Sequence, residues 1–150
     1  MHLLATSATT LDEIAEPIDL RQEPGDILLL SFADTDLAGL AAAWAIERDA
    51  LPSVRLAHLR DLRHPMSVDL WIDRVGAHAK VILVRLLGGL DWWRYGVDRL
   101  AAVARERGMK LIVVDPRQGR SASKADVWLP VVPGHDADLA FAMASWIVQN

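Results

Sequence analysis

The sequence predicts an α/β domain built on a flavodoxin-like, doubly wound parallel sheet. Apolar runs of roughly four to eight residues alternate with longer stretches of helical period. The runs are almost continuously apolar, so helices should cover both faces of the sheet. Right-handed crossovers between successive strands then favour one five-stranded sheet in the order 2-1-3-4-5.

Five strands are expected, each formed by one apolar run. They are residues 27–33, 54–59, 80–86, 111–115 and 127–131. An extra edge strand is expected over His2–Ala5, and an open edge there would allow a homodimer.

Four helices are expected between and after these strands. They begin near Asp34 or Asp36, at Ser67, at Asp91 and at Asp136. The side chains of Asp34 or Asp36 and of Ser67 are of the kind that caps a helix N-terminus. Gly108 is expected to end the third helix in the position after its C-cap.

Length and composition favour a single domain over residues 1–150 and exclude several classes of protein. The chain has no cysteine, so it has no disulfide and no thiolate chemistry. Its formal charge of −4 argues against a nucleic-acid partner. No apolar run approaches the roughly 18 residues that span a bilayer, and the N-terminus does not resemble a signal peptide. A soluble, cytoplasmic protein without a membrane partner is therefore expected.

The carboxyl ends of the first and third strands flank the predicted topological switch point, where open α/β sheets bind ligands. The candidate crevice residues are Asp34, Asp36, Gly88, Gly89, Asp91 and Trp92. Glycines would let a ligand approach the backbone, whereas three carboxylates suit phosphate poorly. The alternative interpretation is that the aspartates cap helices and the glycines form a turn.

No catalytic residue and no metal ligand is predicted. The spacing of His58, His64 and His78 matches no metal-binding motif. Ser31 and Ser67 have no adjacent base in a nucleophile elbow, and the sequence has no phosphate-binding glycine motif. No cofactor is expected for the chain itself.

Residues 1–108 contain the segments SFADTDLAGLAAAW, RHPMSVDLWID and GGLDWWRYG. They resemble the N-terminus of the large subunit of cobaltochelatase. That enzyme is an ATP-dependent ligase that forms metal–nitrogen bonds, inserting cobalt into hydrogenobyrinic diamide in cobalamin biosynthesis. The resemblance implies ATP, which the helper subunits hydrolyse, and cobalt as substrate. It also implies other chelatase regions and subunits as partners, with the chelation chemistry in later regions of the parent.

Residues 109–150 contain VVDPR, ADVWLP and PGHD and resemble molybdopterin-dinucleotide oxidoreductases of the dimethyl-sulfoxide-reductase type. The resemblance implies contacts with the nucleotide half of molybdopterin guanine dinucleotide through Asp115, Arg117 and Asp136. The alternative interpretation is that Asp136 is an ordinary acidic residue at a helix N-terminus and that Asp115 and Pro116 form an ordinary strand exit. His135 stands where that family usually has Thr. The metal-ligand segment of the family is missing, so molybdenum catalysis is not expected.

Trp92, Trp93 and Tyr95 form an aromatic cluster at a predicted helix start. A tetrapyrrole could stack on such rings. The favoured interpretation is that Trp92 and Trp93 serve packing, with one ring in the core and the other covering a loop.

Together these patterns predict a chimeric folding domain without catalytic turnover. A natural gene could carry such a seam, but an engineered chimera explains it best. Two alternatives remain: a module that binds a tetrapyrrole or other chelatase regions, and a weak guanine-nucleotide binder that uses the C-terminal segment.

Overall fold

The computed structural model describes residues 16–86, 89–119 and 122–149, without the side chains of Ile147 and Val148. The expected edge strand at His2–Ala5 lies outside the described residues. The chain divides into two compact units, Met1–Leu100 and Ala101–Asn150, called here the N-terminal and C-terminal units.

All five predicted strands and four predicted helices are present in the described ranges, and the strands are slightly shorter than predicted. In chain order the elements are β1 Ile27–Ser31, α1 Asp34–Ile46, β2 Val54–His58, α2 Pro65–Arg74, β3 Val81–Arg85, α3 Arg94–Glu106, β4 Ile112–Val114, β5 Val127–Leu129 and α4 Asp136–Gln149. Short 3₁₀ turns at Leu59–Leu62, Gly76–His78, Leu90–Trp92 and Ala122–Lys124 were not predicted.

The strands form two parallel sheets instead of the single five-stranded sheet that the sequence predicts. The N-terminal unit contains β2-β1-β3, and the C-terminal unit contains β4-β5. Ile27 pairs with Val54 on one side and with Val81 on the other, which confirms the predicted order of these three strands. β4 and β5 have only three residues each, so each offers a short hydrogen-bonded ladder. One continuous sheet in the order 2-1-3-4-5 stays a prediction.

The core of the N-terminal unit is built around the central strand β1. Leu28, Leu29 and Leu30 are all buried, as expected for a strand covered on both faces. The 3₁₀ turn after β2 adds Leu59 and Leu62. Helix α2 adds Val68, Trp71 and Ile72, and its C-cap residue Val75 extends this apolar stripe.

The amino ends of the three strands meet at Asp26. Its carboxylate accepts hydrogen bonds from the Ser53 hydroxyl at 2.7 Å and from the Ser53 backbone N–H at 3.2 Å, and Lys80 Nζ lies 2.7 Å away. The hydrogen bonds from Lys80 and Ser53 lower the pKa of Asp26 to about 2. Asp26 therefore stays charged and ties together the residues just before β1, β2 and β3.

Two of the predicted N-caps are wrong. Helix α1 begins at Asp34 behind Ala33, which has no capping side chain, so Asp34 and Asp36 lie in the first turn. Helix α2 begins two residues before Ser67, and its cap is His64, whose Nδ1 accepts a hydrogen bond from the Met66 N–H at 3.1 Å. Ser67 is buried inside α2, where its hydroxyl accepts from the Ile18 N–H at 2.8 Å.

The predicted C-terminal signal of α3 is confirmed. Gly108 has φ of +67°. Its N–H donates to Arg105 O at 3.2 Å, and the Met109 N–H donates to Ala104 O at 2.7 Å. This pair of bonds is a Schellman motif, in which glycine accepts the left-handed conformation at little cost. Separately, no helix in the described ranges is long and apolar enough to cross a membrane.

The glycines of two helices offer a matched test of the packing. A Cβ at Gly96 in α3 would overlap the indole ring of Trp93, whereas a Cβ at Gly39 in α1 meets nothing within 4 Å. Gly96→Ala should lower the free energy of unfolding by about 1–3 kcal/mol, because the ring must move out of a packed core. Gly39→Ala should instead leave it unchanged or raise it by about 0.5–1 kcal/mol through helix propensity.

Urea unfolding followed by circular dichroism measures both variants. Equal midpoints for Gly96→Ala and Gly39→Ala would contradict the position assigned to Trp93.

Candidate ligand-binding site

The carboxyl ends of β1 and β3 are joined through the first turn of α1. The buried Ser31 hydroxyl donates to Asp36 Oδ2 at 2.6 Å and accepts from the Ala33 N–H at 3.0 Å. Arg85, the last residue of β3, donates to the same Asp36 oxygen at 2.8 Å. The hydrogen bond from Ser31, followed by the interaction with Arg85, holds the pKa of Asp36 below its ordinary value.

A second network lies at the end of β2. Arg60 Nη2 is 3.2 Å from Asp34 Oδ1, and His58 Nε2 is 3.3 Å from the same oxygen. Phe32 presents its ring edgewise to His58, with centroids 6.5 Å apart. The Asp34 side chain is 80% exposed, so water screens these contacts strongly. The carboxylates of Asp34 and Asp36 are thus both engaged by arginine at this edge of the sheet.

The other predicted crevice residues lie in the segment before α3. Gly88 is outside the described residues, and Gly89 has φ of +105°, a conformation that favours glycine. Asp91 forms an ion pair with Arg94. In the described part of the chain, no hydrogen bond or ion pair links Asp34 or Asp36 to Asp91 or Trp92. A single crevice formed by all of these residues stays a prediction.

The neighbouring Trp92 and Trp93 have opposite environments. Trp93 is 4% exposed, and its indole N–H donates to the Leu62 carbonyl at 2.8 Å. Trp92 is 62% exposed. The prediction that one ring enters the core is confirmed, and the other ring faces solvent. Only Trp92 of the pair can offer a ring face to a ligand.

Trp92 borders a cavity of about 430 Å³. The cavity is lined by Arg63, Val68, Asp91, Trp92, Trp93, Arg94 and Tyr95. Val68 is fully buried, whereas Arg63, Trp92 and Tyr95 are exposed. The lining therefore combines apolar and aromatic surface with cationic side chains, a common composition for small-molecule sites.

The Tyr95 side chain is held in place by a hydrogen bond to helix α2. Its hydroxyl donates to Asp69 Oδ2 at 2.8 Å, while Arg99 Nε donates to Asp69 Oδ1 at 2.7 Å. The hydrogen bond to Asp69 raises the pKa of the Tyr95 phenol. Tyr95 therefore remains protonated at neutral pH and serves as a fixed wall of the cavity.

The predicted nucleotide residues all lie in the C-terminal unit. Asp115 Oδ1 accepts a hydrogen bond from the Arg117 N–H at 2.7 Å, which forms a tight turn after β4. Asp136 is the first residue of α4, and His135 before it contacts Asp138 at 2.6 Å. Within the described C-terminal residues, no hydrogen bond or ion pair joins Asp136 to Asp115 or Arg117. Nucleotide binding by these residues therefore stays a prediction.

The histidines and serines considered for chemistry have local structural partners. His58 contacts Asp34, His64 caps α2, and His78 lies in the turn after α2. The described residues include no group of three or more His, Asp or Glu side chains arranged to hold a metal ion. The Ser31 hydroxyl donates to the Asp36 carboxylate, which is also paired with Arg85.

Sequence reasoning missed Arg63 and Val68 as members of the cavity. Val68 belongs to the apolar stripe of α2, a pattern that is visible in the sequence. Arg63 reaches the cavity because the Leu62 carbonyl just before it is bonded to the Trp93 indole. That bond links residues 31 positions apart, and no local pattern signals it.

Comparison with known proteins gives two groups of relatives. The chain is 46% identical over 114 residues to the aerobic cobaltochelatase subunit CobN of a Sinorhizobium species, which is 76% of this chain and 9% of that protein. The corresponding subunit of Pseudomonas aeruginosa is 44% identical over 117 residues, with the same coverage. The chain thus spans about a tenth of the length of these relatives.

A second, shorter match concerns the molybdopterin-oxidoreductase resemblance of the C-terminal segment. The chain is 51% identical over 43 residues to the molybdopterin-containing subunit of the arsenate respiratory reductase of Chrysiogenes arsenatis, which is 29% of this chain and 5% of that subunit. Both predicted resemblances, of the N-terminal part to cobaltochelatase and of the C-terminal segment to molybdopterin oxidoreductases, are confirmed. No family model and no solved structure matches the sequence.

Asp36→Asn tests the network at the end of β1. The folded-state pKa of Asp36 lies below the ordinary 3.8, so its carboxylate stabilises the fold above about pH 4 and loses this effect as the pH falls further. The variant should lower the free energy of unfolding by about 1 kcal/mol at pH 7, through loss of charge-assisted bonds to a partly exposed group. It should also show a shallower loss of stability below pH 4 than the parent chain.

Urea unfolding at a series of pH values measures this effect. Asp49→Asn is the control, because its side chain is 97% exposed and should change the free energy by less than about 0.5 kcal/mol. An identical pH profile for Asp36→Asn and the parent chain would contradict the role given to Asp36.

Proposed function

We propose that this chain is a folded binding module without catalytic turnover, and that its N-terminal part docks other regions or subunits of a cobaltochelatase. The observation that carries the proposal is the match of 76% of the chain to a segment that makes up only 9% of cobaltochelatase subunit CobN. A segment this small, folding as a compact unit, suits a docking role within a larger enzyme.

The polar groups of the N-terminal unit support a role in binding. Asp34 and Asp36, at the sheet edge where α/β enzymes place their chemistry, are engaged by Arg60 and Arg85. The carboxylate of Asp36 is bonded to both Ser31 and Arg85, which favours a structural role for this group over that of a general base. Cobalt insertion in the relatives would then depend on residues elsewhere in those much longer proteins.

We further propose that the chain is an engineered chimera and forms one domain in which residues 1–108 come from a cobaltochelatase-type parent and 109–150 from a molybdopterin-oxidoreductase-type parent. The matches of 114 and 43 residues together exceed the 150 residues of the chain, so they overlap. Part of the chain thus resembles both parents, as expected where two βα units of similar pattern are joined.

Docking can be measured against the Sinorhizobium subunit from which the matching segment has been deleted. The 150-residue chain should bind this truncated subunit at least about tenfold more tightly than the intact subunit, whose own segment competes for the position. Isothermal titration calorimetry gives both affinities. The chain alone, mixed with cobalt(II), ATP and a cobalamin-precursor tetrapyrrole, should insert no cobalt.

Two results would overturn the proposal. Cobalt insertion by the chain alone would refute a module without turnover. Equal binding to both forms of the subunit, or no binding to either, would refute the docking role. Circular dichroism of the truncated subunit establishes that it is folded before it is titrated.

Tetrapyrrole binding is a second candidate function, favoured by the exposed ring of Trp92. Trp93 is unsuited to the same test, because truncating a buried ring would unfold the core. Trp92→Ala is therefore the informative variant, and it should weaken binding of a soluble porphyrin. Weak guanine-nucleotide binding through Asp115, Arg117 and Asp136 stays a prediction, for which Asp136→Ala is the corresponding variant.

A further inference from the structure

We propose that the cavity beside Trp92 binds a small planar carboxylate with one or two fused aromatic rings. This proposal is separate from the docking role, and all the residues that form the site belong to the N-terminal unit. The proposal rests on the ring surface, the balance of charge, the size of the cavity and the rigidity of its walls.

Trp92 supplies the exposed ring surface of the cavity, and Val68 supplies an apolar side chain to its lining. Trp92 leaves 62% of its surface exposed, although burying a large aromatic ring would be favourable. Val68, which also lines the cavity, is 1% exposed. A flat ligand that stacks on the indole would bury apolar surface that water now covers.

The charge of the cavity favours an anion. Asp91 and Arg94 form an ion pair and offset each other. The Tyr95 hydroxyl is committed to Asp69. Among the described residues, Arg63 forms neither a hydrogen bond nor an ion pair, so its guanidinium remains as the available charged donor. A guanidinium binds a carboxylate through two parallel hydrogen bonds, which fixes the orientation of the ligand.

The volume limits the size of the ligand. Sites for small molecules usually measure about 300–1,000 Å³, and this cavity of about 430 Å³ lies toward the lower end. One or two fused rings with a carboxylate fit that space. A macrocycle would have to lie across the opening, so the cavity selects a smaller ligand than the tetrapyrrole considered above.

The walls are held in place without a ligand. The Trp93 indole is bonded to Leu62 O at 2.8 Å, which places Arg63 at the cavity, and the Tyr95 hydroxyl is bonded to Asp69 at 2.8 Å. These two bonds hold the side chains of Trp93 and Tyr95 before a ligand binds. A site that needs little ordering loses less affinity to conformational entropy.

A pair of fluorescent probes, 2-naphthoate and 2-naphthamide, separates stacking from charge recognition. Fluorescence anisotropy of each probe with the complete chain gives the Kd, and naphthoate should bind more tightly. Trp92→Ala should raise the Kd of both probes about tenfold, the effect expected from loss of one stacked ring. Arg63→Gln should raise the Kd of naphthoate about three- to fivefold, as for a partly exposed ion pair. It should leave the Kd of naphthamide unchanged.

Two matched variants control for general effects on the protein. Trp146→Ala removes another exposed tryptophan, and Arg48→Gln removes another exposed arginine. Neither lines the cavity. Both should bind naphthoate as the parent chain does, and circular dichroism verifies that all four variants are folded.

Three results would overturn the proposal. They are equal affinity for naphthoate and naphthamide, unchanged binding after Trp92→Ala, and the absence of saturable naphthoate binding by the folded parent chain. None of them bears on docking to the truncated cobaltochelatase subunit, so the two proposals can fail separately.

Discussion

The cavity of the N-terminal unit depends on one buried hydrogen bond, from the Trp93 indole to the Leu62 carbonyl. Burying an indole is favourable only if its N–H finds a partner, and the partner here is the last residue of the 3₁₀ turn after β2. The bond fixes the segment before α3 against that turn. It directs Trp92 outward, brings Arg63 to the same cavity, and requires glycine at position 96, since a Cβ there would overlap the ring. The cavity is thus a consequence of how the core is closed.

The three-stranded sheet is held at both ends by a buried or half-buried polar network. At the amino ends of the strands, Asp26 accepts a hydrogen bond from Ser53 and pairs with Lys80. At the carboxyl ends, Asp36 accepts a hydrogen bond from Ser31 and pairs with Arg85. Each carboxylate has a lowered pKa because its partners stabilise the charged form. Both groups therefore remain charged at neutral pH, and the contacts that lower their pKa values also hold the strand ends.

The helices and strands could be predicted from the sequence, but few of the residues that form the candidate site could. Continuous apolar runs predicted β1 and its burial on both faces, and Gly108 predicted the end of α3, because both signals are local. The caps were mispredicted because Ser67 bonds to Ile18, 49 residues away, leaving His64 to cap α2. Arg63 could not be found from any motif, since its position follows from a bond that closes a long loop. The position of a site residue depends on contacts with residues that are distant in the sequence, and a single sequence does not show those contacts.

The proposed seam between residues 108 and 109 falls within a motif that needs almost nothing from side chains. The Met109 N–H donates to Ala104 O at 2.7 Å, so donor and acceptor would come from different parents, yet both are backbone groups. The motif asks only for Gly108 at positive φ. Beyond it, Asp126 accepts from the Leu111 N–H at 2.7 Å, and the Trp128 indole donates to Asp115 O at 2.9 Å, so β4 and β5 are tied together by residues of the tail alone. At this joint between a helix and a strand, the crossover relies on backbone hydrogen bonds. Beyond the crossover, the strands rely on side chains of a single parent. Such a joint does not require the two sequences to have evolved together.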